Sequence, residues 1–274
     1  MRQERRVGSR LFMALVFLFL YAPIFVLIVF SFNSSKSRAV WTGFSLDWYR
    51  ELIQDSEILS ALSTTLTVSI LAALIATVAG TFAAIGFYNM RKKWSRPLLT
   101  INNIPVVNAD IATGVSLCLF FVAAGTIFHF DLGYGTLLIA HITFNIPYVI
   151  MSIMPKLYQM DKNLIDAAQD LGCTWIQAFF KVVVPEIMPG IINGLLIAFT
   201  MSIDDFVISY FTAGSKVQTL SMTIYSMTRK RISPEINAVS TLLFVTVLIL
   251  LAIVNVREVR QERAHKKAVA RIQQ

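Results

Sequence analysis

Six long apolar runs, at 11–32, 64–87, 98–121, 135–154, 190–210 and 239–256, constrain this chain more tightly than any motif in it. An α-helix needs about 20 apolar residues to cross roughly 30 Å of hydrocarbon, and it satisfies its own backbone polar groups while doing so. The runs therefore predict an all-α, polytopic membrane protein with six transmembrane helices in a single domain spanning 1–274. Composition closes off the soluble alternative. Of the residues 56% are hydrophobic and 15% charged, and the mean hydropathy is +0.66, beyond the range of an ordinary globular domain.

The net charge of +8 would suit a nucleic-acid partner, but its distribution argues against one. With the N-terminus in the cytoplasm, 17 of the 24 Lys and Arg fall in segments on the cytoplasmic side, including Arg91, Lys92, Lys93, Arg96, Lys156, Lys162, Lys181 and a polar tail at 257–274. Cytoplasmic loops of membrane proteins carry this excess. The chain is thus placed in the inner or plasma membrane with both termini cytoplasmic. Arg2, Arg5, Arg6 and Arg10 resemble the basic start of a signal peptide. The apolar run behind them is longer than a cleavable core and no A-x-A site follows, so it reads as a retained first helix. Arg229, Lys230 and Arg231 form a basic cluster on the outer side, which suits an acidic partner.

Cys118 and Cys173 lie in segments that this topology separates, so neither a disulfide nor a metal cluster is expected, and no cofactor is implied. His141 has no second His or Cys at metal spacing and reads as an interhelical hydrogen-bond donor. Trp41, Trp48 and Tyr49 read as an interfacial aromatic belt. Ala72, Ala73, Ala76, Ala79, Gly80, Ala83 and Ala84 allow close helix contact in the second span.

The longest cytoplasmic loop, 159–186, is patterned. Asp161 can cap a helix with Leu164, Ile165, Ala168 and Leu171 at 3.6-residue spacing, and Gly172 suits the left-handed stop. Thr174 and Gln177 form a capping box for a second helix with Trp175, Phe179, Val182 and Val183 on its apolar side. Pro185 and Pro189 are expected to break the chain before it re-enters the membrane. The pair is tethered to spans at both ends and carries only Lys162 and Lys181, so it reads as a protein-docking knob and not a DNA reader.

Asp166-Ala167-Ala168, three residues, Gly172, nine residues, then Val182-Val183-Val184-Pro185 resembles the Glu-Ala-Ala loop of ABC importer permeases, with Asp for Glu and valines for the later Ile and Leu. Tyr21-Ala22-Pro23, Ser31 to Ser35, Ser202 to Phe206 and Ser233 to Ala238 are similar to the spermidine/putrescine branch of that family. The resemblance implies a type I ABC importer permease fold in which Asp166, Ala167, Ala168, Gly172 and Pro185 couple to a cytoplasmic ATP-binding dimer. It also implies a homologous second permease, an extracytoplasmic polyamine-binding protein and polyamine transport by alternating access. The chain has no G-x-x-x-x-G-K-[ST] loop, so ATP hydrolysis is expected on another subunit and not here. Two alternatives stay open at this point: a permease for another small cationic or amino-acid-like solute, and a secondary transporter that needs no ATPase.

Asp110, Asp204 and Asp205 fall within or beside the third and fifth runs. A carboxylate at mid-helix costs about 2.5–3.5 kcal/mol on insertion scales and usually faces an aqueous path or an ion partner. Gly194, Ala198, Ser202, Asp205 and Ser209 form a small polar stripe at helical spacing, assigned to a substrate pathway with Asp204 on its flank. The other reading is that these aspartates cap a broken helix or pair with a partner's cation. Adjacent aspartates on one helix diverge in direction, so a facing catalytic dyad is not expected.

Overall fold

The computed structural model describes residues 2–35, 40–108, 110–161, 163–230 and 236–249 with positions 252 and 256, and gives no side-chain placement for 2–11 and 230. Lys162, Arg231, Ser233-Pro234-Glu235 and the tail 257–274 lie outside the described residues. Among the described residues five helices are long and apolar enough to span a membrane, and the apolar helix Ile236–Ile249 falls in the sixth run. The chain divides into two units, one within 1–60 and 223–246 and the other within 61–222 and 247–274.

The first unit contains α1 (Arg2–Phe30), α2 (Asp47–Gln54), most of α12 (Leu220–Lys230) and α13 (Ile236–Ile249). None of the apolar window of α1 is buried, so this helix requires lipid or a partner helix around it. The segment after α1 folds around Asn33, which is 1% exposed. Its amide donates to Val40 O at 2.8 Å and its Oδ1 accepts the Thr42 N–H at 3.0 Å. Trp48 Nε1 donates to Asn33 O at 2.6 Å, Tyr49 OH meets Ser31 Oγ at 2.8 Å, and Phe32 stacks on Phe44. Trp48 and Tyr49 are therefore not a belt turned to lipid. Trp48 is 6% exposed and both close this turn, while Trp41 stays half-exposed with its ring edge on Phe30.

The second unit is built on α7 (Tyr134–Gln159), buried along its length from Thr136 to Leu157. Around it lie most of α3 (Ser56–Asn89), α6 (Asp110–Phe128), α10 (Val184–Ile203) and α11 (Val207–Thr212). Ala72, Ala73, Ala76 and Ala84 of α3 are buried, and a Cβ on Gly80 would lie 2.7 Å from Val149 Cγ1. The α3 backbone thus approaches α7 where only glycine fits. Val149, Ile150, Ile153, Leu157, Ile187 and Ala198 form the main core.

Helical bounds differ from the apolar runs in the third segment. Residues 92–107 form α4 (Lys92–Asn102) and α5 (Ile104–Val107), and the long helix starts only at Asp110. Pro105, at the start of α5, lacks the N–H that would continue α4, and Asn108 is extended at ψ 152°. At 19 residues α6 is about 28 Å long, one hydrocarbon thickness.

Candidate functional site

The loop between α7 and α10 folds from its own capping chemistry. Asp161 Oδ1 accepts the Asn163 N–H at 3.0 Å to open α8 (Asn163–Asp170). Gly172, at φ +85°, closes it: its N–H donates to Gln169 O and the Cys173 N–H to Ala168 O, the paired bonds of a Schellman stop. Thr174 and Gln177 make the reciprocal capping box at the start of α9 (Trp175–Ala178).

The expected break at Pro185 and Pro189 does not occur. From α9 the chain runs through a π turn (Phe179–Val183) directly into α10, one helix of 29 residues from Trp175 to Ile203. Pro185 cannot bond to the carbonyl four residues back and its ring crowds it. The wider π turn, in which the Val184 N–H reaches Phe179 O, absorbs that misfit. At about 44 Å the rod exceeds the hydrocarbon thickness, so the helix of the loop and the fifth run form one continuous helix.

Ala168, Ala178, Phe179 and Val183 face inward on this loop, whereas Asp166, Ala167, Gly172 and Pro185 are exposed. Leu171, Trp175, Ile176 and Phe180 are exposed by 61–87%. The spacing places Leu171 and Trp175 on the apolar sides of their helices, yet both face outward, and Ile176 and Phe180 were missed.

At the other end the rod stops at Asp204, and α11 begins at Val207. Asp205 caps α11. Its Oδ2 accepts from the Ser209 N–H at 2.8 Å and Oγ at 2.9 Å, and its Oδ1 from the Ile208 N–H at 3.3 Å. Asp204 is exposed, and so is Asp110 at the start of α6. Asp110 opens α6, which packs against α11: a Cβ on Gly114, one turn on, would lie 2.9 Å from Phe211 Cδ2.

The small polar stripe does not lie open. A Cβ on Gly194 would be 3.2 Å from Val149, Ala198 is fully buried, Ser202 Oγ accepts from Asn145 Nδ2 at 2.7 Å, and Ser209 Oγ lies 3.0 Å from His141 Nε2. That face packs on α7, and Asp204, read as the flank, is the exposed carboxylate. The wheel assumed an unbroken helix, and the break at 204–206 changes the phase of everything after it. Asn145 and Tyr148 were missed as neighbours of the site. The signal for Asn145 was an amide one turn from His141 on an apolar helix. Among the described residues no group of three His, Cys, Asp or Glu is placed to hold a metal.

Residues 76–263 match the family described as binding-protein-dependent transport system inner membrane component. The chain is 42% identical over 230 residues to the putrescine transport system permease protein PotI of Escherichia coli, covering 83% of this chain and 82% of that one. It is 34% identical over 242 residues to the spermidine/putrescine permease PotC of Haemophilus influenzae, covering 88% and 93%. In fold it is similar to a chain of a bacterial ABC transporter that imports alginate (TM-score 0.70, 18% identity, 94% and 96% covered). It is also similar to a chain of the inward-facing MetNI methionine ABC transporter (TM-score 0.60, 20% identity, 74% and 95% covered). The helical architecture is that of type I ABC importer permeases, and by family match and by relatives spanning most of its length the chain belongs to the binding-protein-dependent inner-membrane transport components.

Proposed function

We propose that this chain is the permease subunit of an ATP-driven importer and carries polyamines, spermidine or putrescine, into the cell by alternating access. One observation carries the cargo reading: Asp204 and Asp205 stand at a helix break and Asp110 opens α6, which packs on α11, while the sequence has no Lys or Arg from 97 to 155 or from 182 to 215. Uncompensated carboxylates within a membrane bundle call for a cation that arrives and leaves, and a polyamine supplies several ammonium groups. Relatives whose names specify putrescine and spermidine support the same cargo. Asp110, Asp204, Asp205 and Ser202 are the pathway residues of this reading, with Asp204 and Asp110 meeting the cargo and Asp205 and Ser202 shaping the break.

The energy comes from a cytoplasmic ATP-binding dimer that docks on Leu171, Trp175, Ile176 and Phe180 beside Asp166, Ala167 and Gly172. Because the docking helix and the fifth span are one rod, rotation at the dimer reaches the break at Asp204 without a joint. A homologous second permease and an extracytoplasmic polyamine-binding protein complete the assembly. Both termini and the loop 159–186 face the cytoplasm.

Uptake of radiolabelled putrescine and spermidine by cells with and without this chain, competed by amines and amino acids, tests the cargo. Uptake that amino acids abolish and amines leave untouched would overturn it. Recovery of an ATPase with the tagged chain in mild detergent tests the coupling.

A further inference from the structure

The two stubs of the broken helix are held from one side by one helix. Asn145 Nδ2 donates to Ser202 Oγ at 2.7 Å, just before the break, and His141 Nε2 lies 3.0 Å from Ser209 Oγ, just after it. His141 and Asn145 are one turn apart on α7, so they share a face. Both are buried, at 1% and 0% exposure.

The protons can be assigned. Ser209 Oγ donates its hydrogen to Asp205 Oδ2 at 2.9 Å, so toward His141 it can only accept. His141 Nε2 therefore carries a hydrogen and donates it, with Asp205 Oδ2 itself 3.6 Å away. Nδ1 is then the unprotonated nitrogen, an acceptor that is buried with no hydrogen-bond partner among the described residues. The order is His141 Nε2–H to Ser209 Oγ–H to Asp205 Oδ2.

We propose that His141 and Asn145 are positioning residues for transport: a two-point clamp on α7 that fixes where the fifth span breaks, and so where Asp204 and Asp205 stand. Neither touches the cargo. His141 acts through Ser209 on the Asp205 carboxylate, and Asn145 acts through Ser202 on the last turn of α10. The inference rests on the transport reading above and assigns that site its supporting shell. Groups that orient a working residue by a hydrogen bond are felt strongly when removed, because a buried acceptor or charge is left with too few partners.

The test uses the complete assembly in proteoliposomes, with cation transported and ATP hydrolysed measured together. The wild-type assembly is first run against a panel of mono-, di- and polyamines, and failure with all of them sinks the transport reading itself. The clamp is judged on the ratio of variant to wild type with the amine that is carried. His141→Phe keeps the ring volume beside Phe144 and removes the donor. We expect it to lower cation transported per ATP roughly tenfold to a hundredfold, the range for a buried bond that serves a charged group. His141→Gln, which can place an N–H near Nε2, should recover to within about threefold. Asn145→Leu should repeat the loss. A residue that only fills space would lose transport and hydrolysis together through lost assembly, and glutamine would not rescue it. Should His141→Phe fail to assemble, Ser209→Ala removes the bridging hydroxyl with little change of volume and should lower the ratio as much. A wild-type ratio in His141→Phe or in Ser209→Ala, or no recovery with glutamine, overturns the clamp.

Discussion

The two ends of the rod from Trp175 to Ile203 treat the backbone in opposite ways. Its loop half holds Pro185 and Pro189, the residues most able to interrupt a helix, and runs on without a break. Its other end stops at Asp204 with neither Pro nor Gly between Ser202 and Phe206. Proline perturbs a helix through its own missing N–H and crowded ring, and one widened turn suffices to accommodate that. A break without proline has to be held by something outside the backbone. Here Asp205 takes up the orphan N–H groups of α11, and Asn145 and His141 hold the flanking serines. In the proposed transport cycle continuity serves the end that an ATPase would move, and the break serves the end that exposes Asp204.

The largest loss is expected just ahead of the rod. Gly172→Pro cannot adopt φ +85°, because the ring fixes φ near −65°, and it also removes the N–H given to Gln169 O. The Schellman stop fails and α8 no longer meets α9 at its native angle. Copurified ATPase should fall to background, whereas Gly172→Asn, which tolerates the left-handed region, should retain it. Equal recovery of ATPase with both variants would show that the entry turn does not matter to docking.

At the far end, Asp205→Ala removes three accepted hydrogen bonds and leaves the Ile208 and Ser209 N–H groups bare inside the bundle. Loss of a helix cap costs about 1–2 kcal/mol, and bonds to a charged group cost more, so about 3 kcal/mol is reasonable here. Transport should fall roughly a hundredfold with ATPase still bound, since the rod itself is intact. A transporting Asp205→Ala would mean that the break survives without its cap.

These contrasts mark what could be read from the chain alone. The Gly172 stop and the Thr174 box were legible because each is a local device whose parts lie within a few residues. The continuity through Pro185 was not, since the rule for proline weighs a lost hydrogen bond and says nothing of a neighbouring turn that can widen. The break at Asp204 left no backbone signature, because the serines that flank it bond to Asn145 and His141, 57 and 68 residues away in sequence. Trp48 was misread for the same reason: its indole bonds to Asn33, which hydropathy cannot foresee. The apolar runs gave the helices, but in the third segment hydropathy averaged over Asn103, Pro105 and Asn108, so the long helix begins later than the run.

Adjacent carboxylates should separate by role. Asp204 is exposed and Asp205 is committed to α11, so Asp204→Asn should leave the thermal midpoint of the purified assembly unchanged while lowering the transport rate about tenfold, the cost of about 1.4 kcal/mol in a rate. The concentration for half-maximal uptake should stay where it is, because capture from outside would belong to the proposed binding protein. Asp205→Asn should lower both midpoint and rate. If the two variants behave alike, the division of labour between the aspartates is wrong.

The smallest effect is expected at Pro185, and it runs against intuition because a gain in stability should accompany a loss of function. Pro185→Ala restores an N–H that can reach the Lys181 carbonyl, which removes the reason for the π turn at Phe179–Val183. Relaxing that turn to α geometry takes one residue out of phase, about 100° around the axis, so Trp175, Ile176 and Phe180 swing relative to α10. Replacing proline in a helix interior gains up to about 3 kcal/mol, and less here because the wide turn already accommodates the ring. The midpoint should rise by a few degrees while cation moved per ATP falls about threefold. A raised midpoint with unchanged coupling would show that the phase of the docking face is set by Leu164, Ile165 and Ala168 beneath it, leaving Pro185 only a tolerated defect. A lowered midpoint would show that the π turn is held by its own packing and that proline had stabilised it.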